Sequence, residues 1–562
     1  MDYQDQLKLY FKQNLTYDLK AGFITAVVAL PLALAFAIAS GVPPVMGLYT
    51  AIVAGILGSL FGGSIFSITG PTGAMVVLIL STVSKFGIEG LLVAGFMGGL
   101  FQIGFALLRI GKVVKYLPMP LISGFTAGIG AIIFIGQLGN ALGLKLAPQE
   151  HVWQTISQII VNLSNTELAA LGITLGTILL LIFLPSLLAK NKYTKNIPAS
   201  IVALVLFTIL AVFLALNIPV VGAIPTELPS VKIPNFSWDL IKNVLPAAFT
   251  IALLGSIEAL LCAVVCDGMT GTKHNSNREL FSQGIVNALM PFLGGMAATA
   301  AVARSGVNIR EGAKTRYAGV IHGLFLLFTL LFLGPLAEKI PRAFLAGILM
   351  VVAVKMINFQ EFKTIFKLSW LDTAVLLVTF GLTVLTDLVF AVQVGMVLAI
   401  LLLFIELTEI IEISHMEEYP KDTKINLIVN KHPLLKERVS IYTINGPFFF
   451  GAMNMFDHKI EEHLEIKKPI IILRMKYVPF MDSSGVVRLS EFIRNREKHG
   501  SEVLLTSVSE KVKGLLLKDQ HFQALIKGHS KKQFIFDNTP LALEYLEREM
   551  KKSNLPNFPS QK

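Results

Sequence analysis

Charge is what this sequence has least of. Charged residues make up 15% of its 562 positions, hydrophobic residues 54%, and mean hydropathy is +0.67. An ordinary globular chain carries about 25% charge. A soluble protein of this length would divide into several domains, but apolar runs this long exceed what a water-soluble core buries. Cysteine is nearly absent. Cys262 and Cys266 lie four apart in one apolar run, where a helix would put them on a shared face. No second Cys or His pair completes a zinc set, so they read as small buried hydrophobes and disulfide stabilisation is excluded from the argument. Catalytic signatures are missing too. Without HExxH, GxxxxGK[ST] or GxSxG, an ATP-driven pump or membrane hydrolase is disfavoured and no enzyme is expected. The formal charge of +11 does not point to nucleic acid, because Lys and Arg sit in short connections between apolar runs rather than on one aromatic-rich polar surface. That placement fits membrane orientation and anionic head groups.

What is there is a long series of apolar segments punctuated by Gly, Pro and charge. Residues 1–20 are polar and lack the pattern of a signal peptide; a transmembrane region is expected over 21–412, a linker over 413–435, an α/β domain over 436–550 and a loose tail over 551–562. Seven candidate spans fall between 21 and 217 and seven between 244 and 411. Two of them, near 68–84 and 298–314, are poor helices on their own. The first opens with Gly70, Pro71 and Gly73; the second follows Gly294 and Gly295 and contains Arg304 and Gly306. Each is third in its group. Short, Gly/Pro-interrupted segments at matching places of two halves point to a transporter site built from discontinuous helices. Because seven is odd, the halves would enter from opposite sides, and the broken segments would run antiparallel near the midplane. With the N-terminus inside, loop Lys and Arg divide about 16 to 6 in favour of the cytoplasm, which also places the C-terminal domain there.

Inside a bilayer, non-helical backbone is tolerated only where protein buries it or a cavity hydrates it. A helix start leaves N–H groups unpaired and a partial positive charge, so two converging starts can hold an anion. Thr72, Gly73 and Ala74 are the candidates at one end, and Ala303, Arg304 and Ser305 at the other. Small residues can instead serve close helix packing. An arginine at membrane depth costs several kcal/mol unless paired, hydrated or functional, so Arg304 is either an anion partner, half of an ion pair with Glu258, or a snorkelling side chain. Glu258 is the carboxylate well inside the first span of the second half. A buried carboxyl there can carry a proton, or offer an oxygen to sodium, and so couple a cation to anion movement. His322 reads chiefly as a helix-interface residue. A membrane sensor signalling through the C-terminal domain and a passive anion channel are the alternatives.

Beyond 435, RVSIYTI, PIIILRM, SEVLLTSV and QFIFD are strand-like, and stretches near 452–466, 485–499, 508–517 and 540–550 are amphipathic. A small α/β domain is expected.

Taken together, ALPLALAFAIASGVPPVMGLYTAIVAGILGSLFGG, SITGPTGAMVV, GSIEALLCAVV, HNSNREL and AVARSGVNIREGAKT resemble the SulP sulfate-permease family, whose animal relatives include anion exchangers and the motor protein prestin. FMDSSGVVRL resembles the core motif of STAS domains. The resemblance implies a multi-span α-helical protein of fourteen spans, arranged as a 7+7 inverted repeat of core and gate domains, with a cytoplasmic STAS domain. It implies a homodimer in the cell membrane and an anion held between the starts of spans 3 and 10. The core, spans 1–4 and 8–11, would slide like an elevator against the gate. Phe36 would wall the pocket, Thr72 would face the anion and Arg304 would be the basic residue beside it. Glu258 falls where sodium-coupled bicarbonate members usually carry Asp; Cys262 stands where they have a hydroxyl, so a proton is at least as suitable as Na+. Met46 replaces a Tyr of many relatives. Ser483, or less readily Ser484, matches the serine phosphorylated in soluble STAS relatives, although Asp482 and both serines also suit a helix cap.

Overall fold

The computed structural model describes residues 13–111, 118–144, 152–190, 197–228, 233–386, 388–409, 412–415, 424–431, 433–450, 469–528 and 534–552, with a few single positions between them. The chain parts into two compact units, Met1–Ala399 and Ile400–Lys562.

Among its described residues, the first unit is helical apart from two very short strands. Its elements are α1 (Leu15–Ala39), α2 (Pro44–Phe61), β1 (Thr69–Gly70), α3 (Gly73–Leu107), α4 (Met119–Ala141), α5 (Val152–Val161), α6 (Leu168–Leu188) and α7 (Ala199–Phe213). The second half repeats the plan with α8 (Trp238–Thr270), α9 (Ser276–Leu289), β2 (Thr299–Ala300), α10 (Val302–Arg310), α11 (Tyr317–Ala337), α12 (Arg342–Met356), α13 (Phe359–Leu368), α14 (Trp370–Leu385) and α15 (Leu388–Glu409), whose last ten residues are counted in the second unit. Among the described residues, nine helices are long and apolar enough to cross a membrane. Within α3 the backbone leaves the helix at Gly87, with φ 68° and ψ −173°, so 73–86 and 88–107 are two helices, where spans 3 and 4 were expected. Span 10 is shorter than its window suggested: α10 has only 9 residues.

Helix limits follow local chemistry. Pro44 opens α2 at a position where its missing N–H costs nothing. Ser237 caps α8 by accepting from the Leu240 N–H, and Gly271, with φ 73°, ends it. Asn275 caps α9 through the Arg278 N–H. Asp18, fully buried in the first turn of α1, accepts from the Lys314 and Thr315 N–H groups at 2.7 and 3.1 Å, tying the two halves together.

Packing separates two groups of helices. α3 lies chiefly against α8 and α9, and α11 against α1 and α2; α4 lies chiefly against α12 and α14. The interrupted segments meet inside the first group. β1 and β2 pair antiparallel, with Thr69 opposite Ala300 and Gly70 opposite Thr299, and the Ala301 N–H extends the ladder to the Ile68 carbonyl at 3.0 Å. Where the helices stop, each segment thus supplies the hydrogen-bond partners that an apolar interior denies the other.

The second unit holds a sheet of order β3 (Glu412–His415), β4 (Val439–Asn445), β5 (Ile470–Tyr477), β6 (Glu502–Thr506), β7 (Ile535–Phe536), with β3 antiparallel and the rest parallel. Alternation assigns its faces. Ile471, Leu473, Val503 and Leu505 pack with Leu489 and Ile493, while Ile472, Leu504 and Phe536 pack with Leu543 and Leu546. Strand β3, and a helix at Lys424–Lys431, occupy part of the stretch expected to be a linker. A helix at Gln520–Gly528 was not foreseen, and the amphipathic stretch 452–466 lies outside the described residues.

Candidate functional site

The two helix starts converge through side chains as well as strands. Thr72, extended at φ −132° and ψ 158°, precedes the first helical residue Gly73, and Ala301 plays the same part for Val302. Arg304, which follows the exposed Val302 and Ala303 at the start of α10, is 1% exposed and turns back toward the opposite segment. Its Nη2 donates to the Pro71 carbonyl at 2.8 Å, while Nε and Nη1 are buried without a partner. It therefore neither snorkels nor forms an ion pair with Glu258. Each orphaned donor in such a place costs about 1–3 kcal/mol, more for a cation. Gly70 makes room for the guanidinium: a Cβ there would lie 2.8 Å from Nη1.

Glu258, on α8, accepts from the Thr72 hydroxyl at 2.9 Å, so the acidic candidate and the first helix start are in direct contact. Gly73 is hemmed by apolar groups. A Cβ on it would meet Met356 Sδ at 3.2 Å, Ile133 Cδ1 at 3.3 Å and Phe36 Cε1 at 3.5 Å. Phe36, Thr72, Gly73, Arg304 and Glu258 thus surround one spot, with Ala74 buried just behind. Ala303 is exposed, whereas Ser305 is fully buried and its Oγ accepts from the Ile68 N–H at 2.9 Å and from the Cys262 thiol at 3.2 Å. Cys266 is buried beside it, near Ser67. His322 is fully buried against Gly55 with neither ring nitrogen partnered. Among the described residues no group of three or more His, Cys, Asp or Glu could hold a metal ion.

A set of residues that the sequence reading passed over holds both segments in place. Glu279, Gln283 and Asn287 are buried at four-residue spacing along α9. Glu279 Oε2 accepts from the Gly63 and Ser64 N–H groups at 2.8 and 3.0 Å. Gln283 Nε2 donates to Thr69 Oγ1 at 2.9 Å. Asn287 accepts from the Ala298 N–H at 2.7 Å and donates to Gln102 at 2.9 Å. The signal was present, since three polar residues on one helical stripe of a predicted span are expensive unless they have partners.

Two openings adjoin this region. One reaches Glu258 between α4, α8 and α15 and is otherwise almost wholly apolar. The other, of about 410 Å³, lies between α1, α3 and α4, and shares Ile133 with the surroundings of Gly73. In the second unit, Asp482 caps the helix Ser483–Lys498 through the Gly485 N–H at 2.8 Å, and Ser483 and Ser484 are exposed in its first turn.

Residues 15–379 match the Sulfate permease family, and residues 433–534 match the STAS domain. The chain belongs to the sulfate permease family. This is a family of transporters rather than enzymes, and the chain is a multi-span membrane protein with a C-terminal STAS domain. Among its relatives, the putative sulfate transporter YvdB of Bacillus subtilis is 37% identical over 540 residues, covering 94% of this chain and 98% of that one. The bicarbonate transporter BicA of Picosynechococcus sp. is 35% identical over 461 residues, covering 79% and 80%. The overall structure of SLC26A9 superposes with a TM-score of 0.83 over 97% of this chain and 92% of that one; at 19% identity this shows the shared sulfate-permease fold alone.

Proposed function

We propose that this chain is a secondary active transporter of small anions, sulfate, bicarbonate or a small dicarboxylate, working by elevator-type alternating access and coupled to H+ or Na+ through Glu258. One observation carries the reading: two opposed helix starts, clasped by the β1–β2 pair, hold a fully buried guanidinium with two donors unused. An anion seated there would relieve the cost of those orphaned donors and replace part of its own hydration with N–H groups. The names of YvdB and BicA support the substrate class. Phe36, Ile133 and Met356 would wall the seat, and sliding of the α1–α3 and α8–α11 group past α4 and α12 would expose it to either side.

The Thr72–Glu258 hydrogen bond supplies a coupling device. An ionised Glu258 repels the anion and takes the Thr72 O–H; a protonated one carries no charge and can donate its own O–H to Thr72 Oγ1, which turns the Thr72 O–H toward the anion. The position one turn beyond Glu258 carries the Cys262 thiol, turned to Ser305, in place of a hydroxyl oxygen, which favours a proton over sodium. The reading includes a homodimer, with the N-terminus and STAS domain cytoplasmic on the loop-charge bias, and Ser483 as the position for phosphorylation.

Uptake of labelled sulfate, bicarbonate and succinate into proteoliposomes, under sodium and proton gradients imposed separately, tests it. Gradient-driven accumulation of at least one anion, lost in Arg304→Ala, is the expected result. Wild-type protein that moves none of them, or an Arg304→Ala variant with unchanged uptake, would overturn the reading. Single-channel currents would replace the carrier with a channel.

A further inference from the structure

The cleft of about 410 Å³ differs in charge from the apolar opening beside Glu258. Among the described residues lining it, Arg342 is the one charged side chain; the polar remainder includes Ser81, Gln137, Asn140 and Thr155. No carboxylate among them shares the wall. Arg342 is gripped by its neck: its backbone N–H donates to the Pro219 carbonyl at 2.9 Å and its Nε to the Val220 carbonyl at 2.9 Å, beside the Val220–Pro341 bridge. Among the described residues, no carboxylate or carbonyl takes its two terminal nitrogens. A cation whose stem is fixed and whose terminal nitrogens meet no carboxylate or carbonyl among the described residues, at a cleft whose described lining holds no carboxylate, raises the local concentration of anions. The inner wall of the same cleft is Ile133, which lies against Gly73 at the start of α3.

We infer that Arg342 is a capture site for the transported anion on the face where this cleft opens, setting apparent affinity from that side only; this rests on the anion-transport reading. The chemical class is a small, hydrated anion, held transiently by charge and by amide and hydroxyl donors. Among the described residues, the cleft beside Glu258 has no counterpart cation in its wall, so capture is one-sided. The loop-charge bias assigns the Arg342 face to the outside.

Two measurements test it. In proteoliposomes sorted for orientation, Arg342→Gln should raise KM for anion uptake from the Arg342 face about two- to five-fold at low ionic strength, with Vmax and the opposite-face KM unchanged. Arg342→Lys should restore the affinity, although it loses the Nε bond. Equal KM changes on both faces, an unchanged KM, or no rescue by Lys would overturn the inference in favour of a loop-pinning role. The second measurement needs no transport. Trp153 is exposed on α5, whose Val152 and Thr155 line the cleft. In a Trp238→Phe, Trp370→Phe background, iodide should quench Trp153 about twice as strongly when Arg342 is present as in the Arg342→Gln variant, while neutral acrylamide quenches both alike. Equal iodide quenching overturns capture even if transport is intact. Unequal quenching in a protein that moves no anion keeps capture and removes the transport reading.

Discussion

The two interrupted segments occupy matching places in the two halves, yet they carry opposite burdens. The start of α3 is bare: Gly73 offers backbone among Phe36, Ile133 and Met356, and its one polar side chain, Thr72, is bound to Glu258. The start of α10 holds the charge and the locks, with Arg304 buried against Pro71 and Ser305 engaged by Ile68 and Cys262. Duplication explains the shared geometry, since both segments must interrupt a helix at the same depth and satisfy each other's backbone. It does not require equal chemistry. One end can vary in shape and polarity while the other keeps a fixed cation, which separates the fit of the anion from the strength with which it is held.

The largest effect should come from the charged end. Arg304→Ala removes a charge-assisted contact of roughly 1.5–3 kcal/mol, so anion uptake should fall about 10- to 100-fold, and Arg304→Lys should recover only part of it, as measured by initial uptake rates. Next comes the coupling group: Glu258→Gln should retain downhill anion exchange and lose most stimulation by an imposed gradient, read in the same vesicles. If Glu258→Gln keeps full gradient dependence, the Thr72–Glu258 contact is structural and the bare end has no role in coupling. Glycine substitutions sharpen the contrast further. Gly70→Ala would press on the guanidinium and should raise KM about 10-fold, whereas Gly73→Ala meets only side chains at 3.2–3.5 Å and should raise it about two- to three-fold. Equal effects would erase the distinction between the ends. Smallest, Gln283→Leu loosens Thr69 and should lower thermal stability by about 1–2 kcal/mol while leaving anion selectivity unchanged, measured by melting and competition.

Much of this was legible in the chain. Gly70, Pro71 and Gly73 cannot continue a helix of unbroken apolar residues, and their recurrence in the segment holding Arg304 announced two broken spans. The strands beyond 435 followed from β-branched runs. What escaped was partnership. That Thr72 binds Glu258 rather than facing a ligand alone, and that Ser305 is used up by Ile68 and Cys262, depends on which of several nearby groups a side chain reaches, and tenths of an ångström decide that. The stripe of Glu279, Gln283 and Asn287 was readable as a spacing, but its targets lie roughly 200 residues away in Gly63, Ser64 and Thr69 or just beyond the helix in Ala298.

The order of residues was enough to establish that the chain lives in a bilayer and that two segments at matching places are not plain helices, because hydrophobic length and backbone satisfaction are local properties. It took the folded arrangement to make these segments a two-residue antiparallel ladder, to send Arg304 across it with two nitrogens unpartnered, and to make Arg342 the one charged side chain among the described residues of the cleft beside α3. Those are outcomes of packing between distant helices, and a buried polar group's meaning is set by the neighbours it has or lacks.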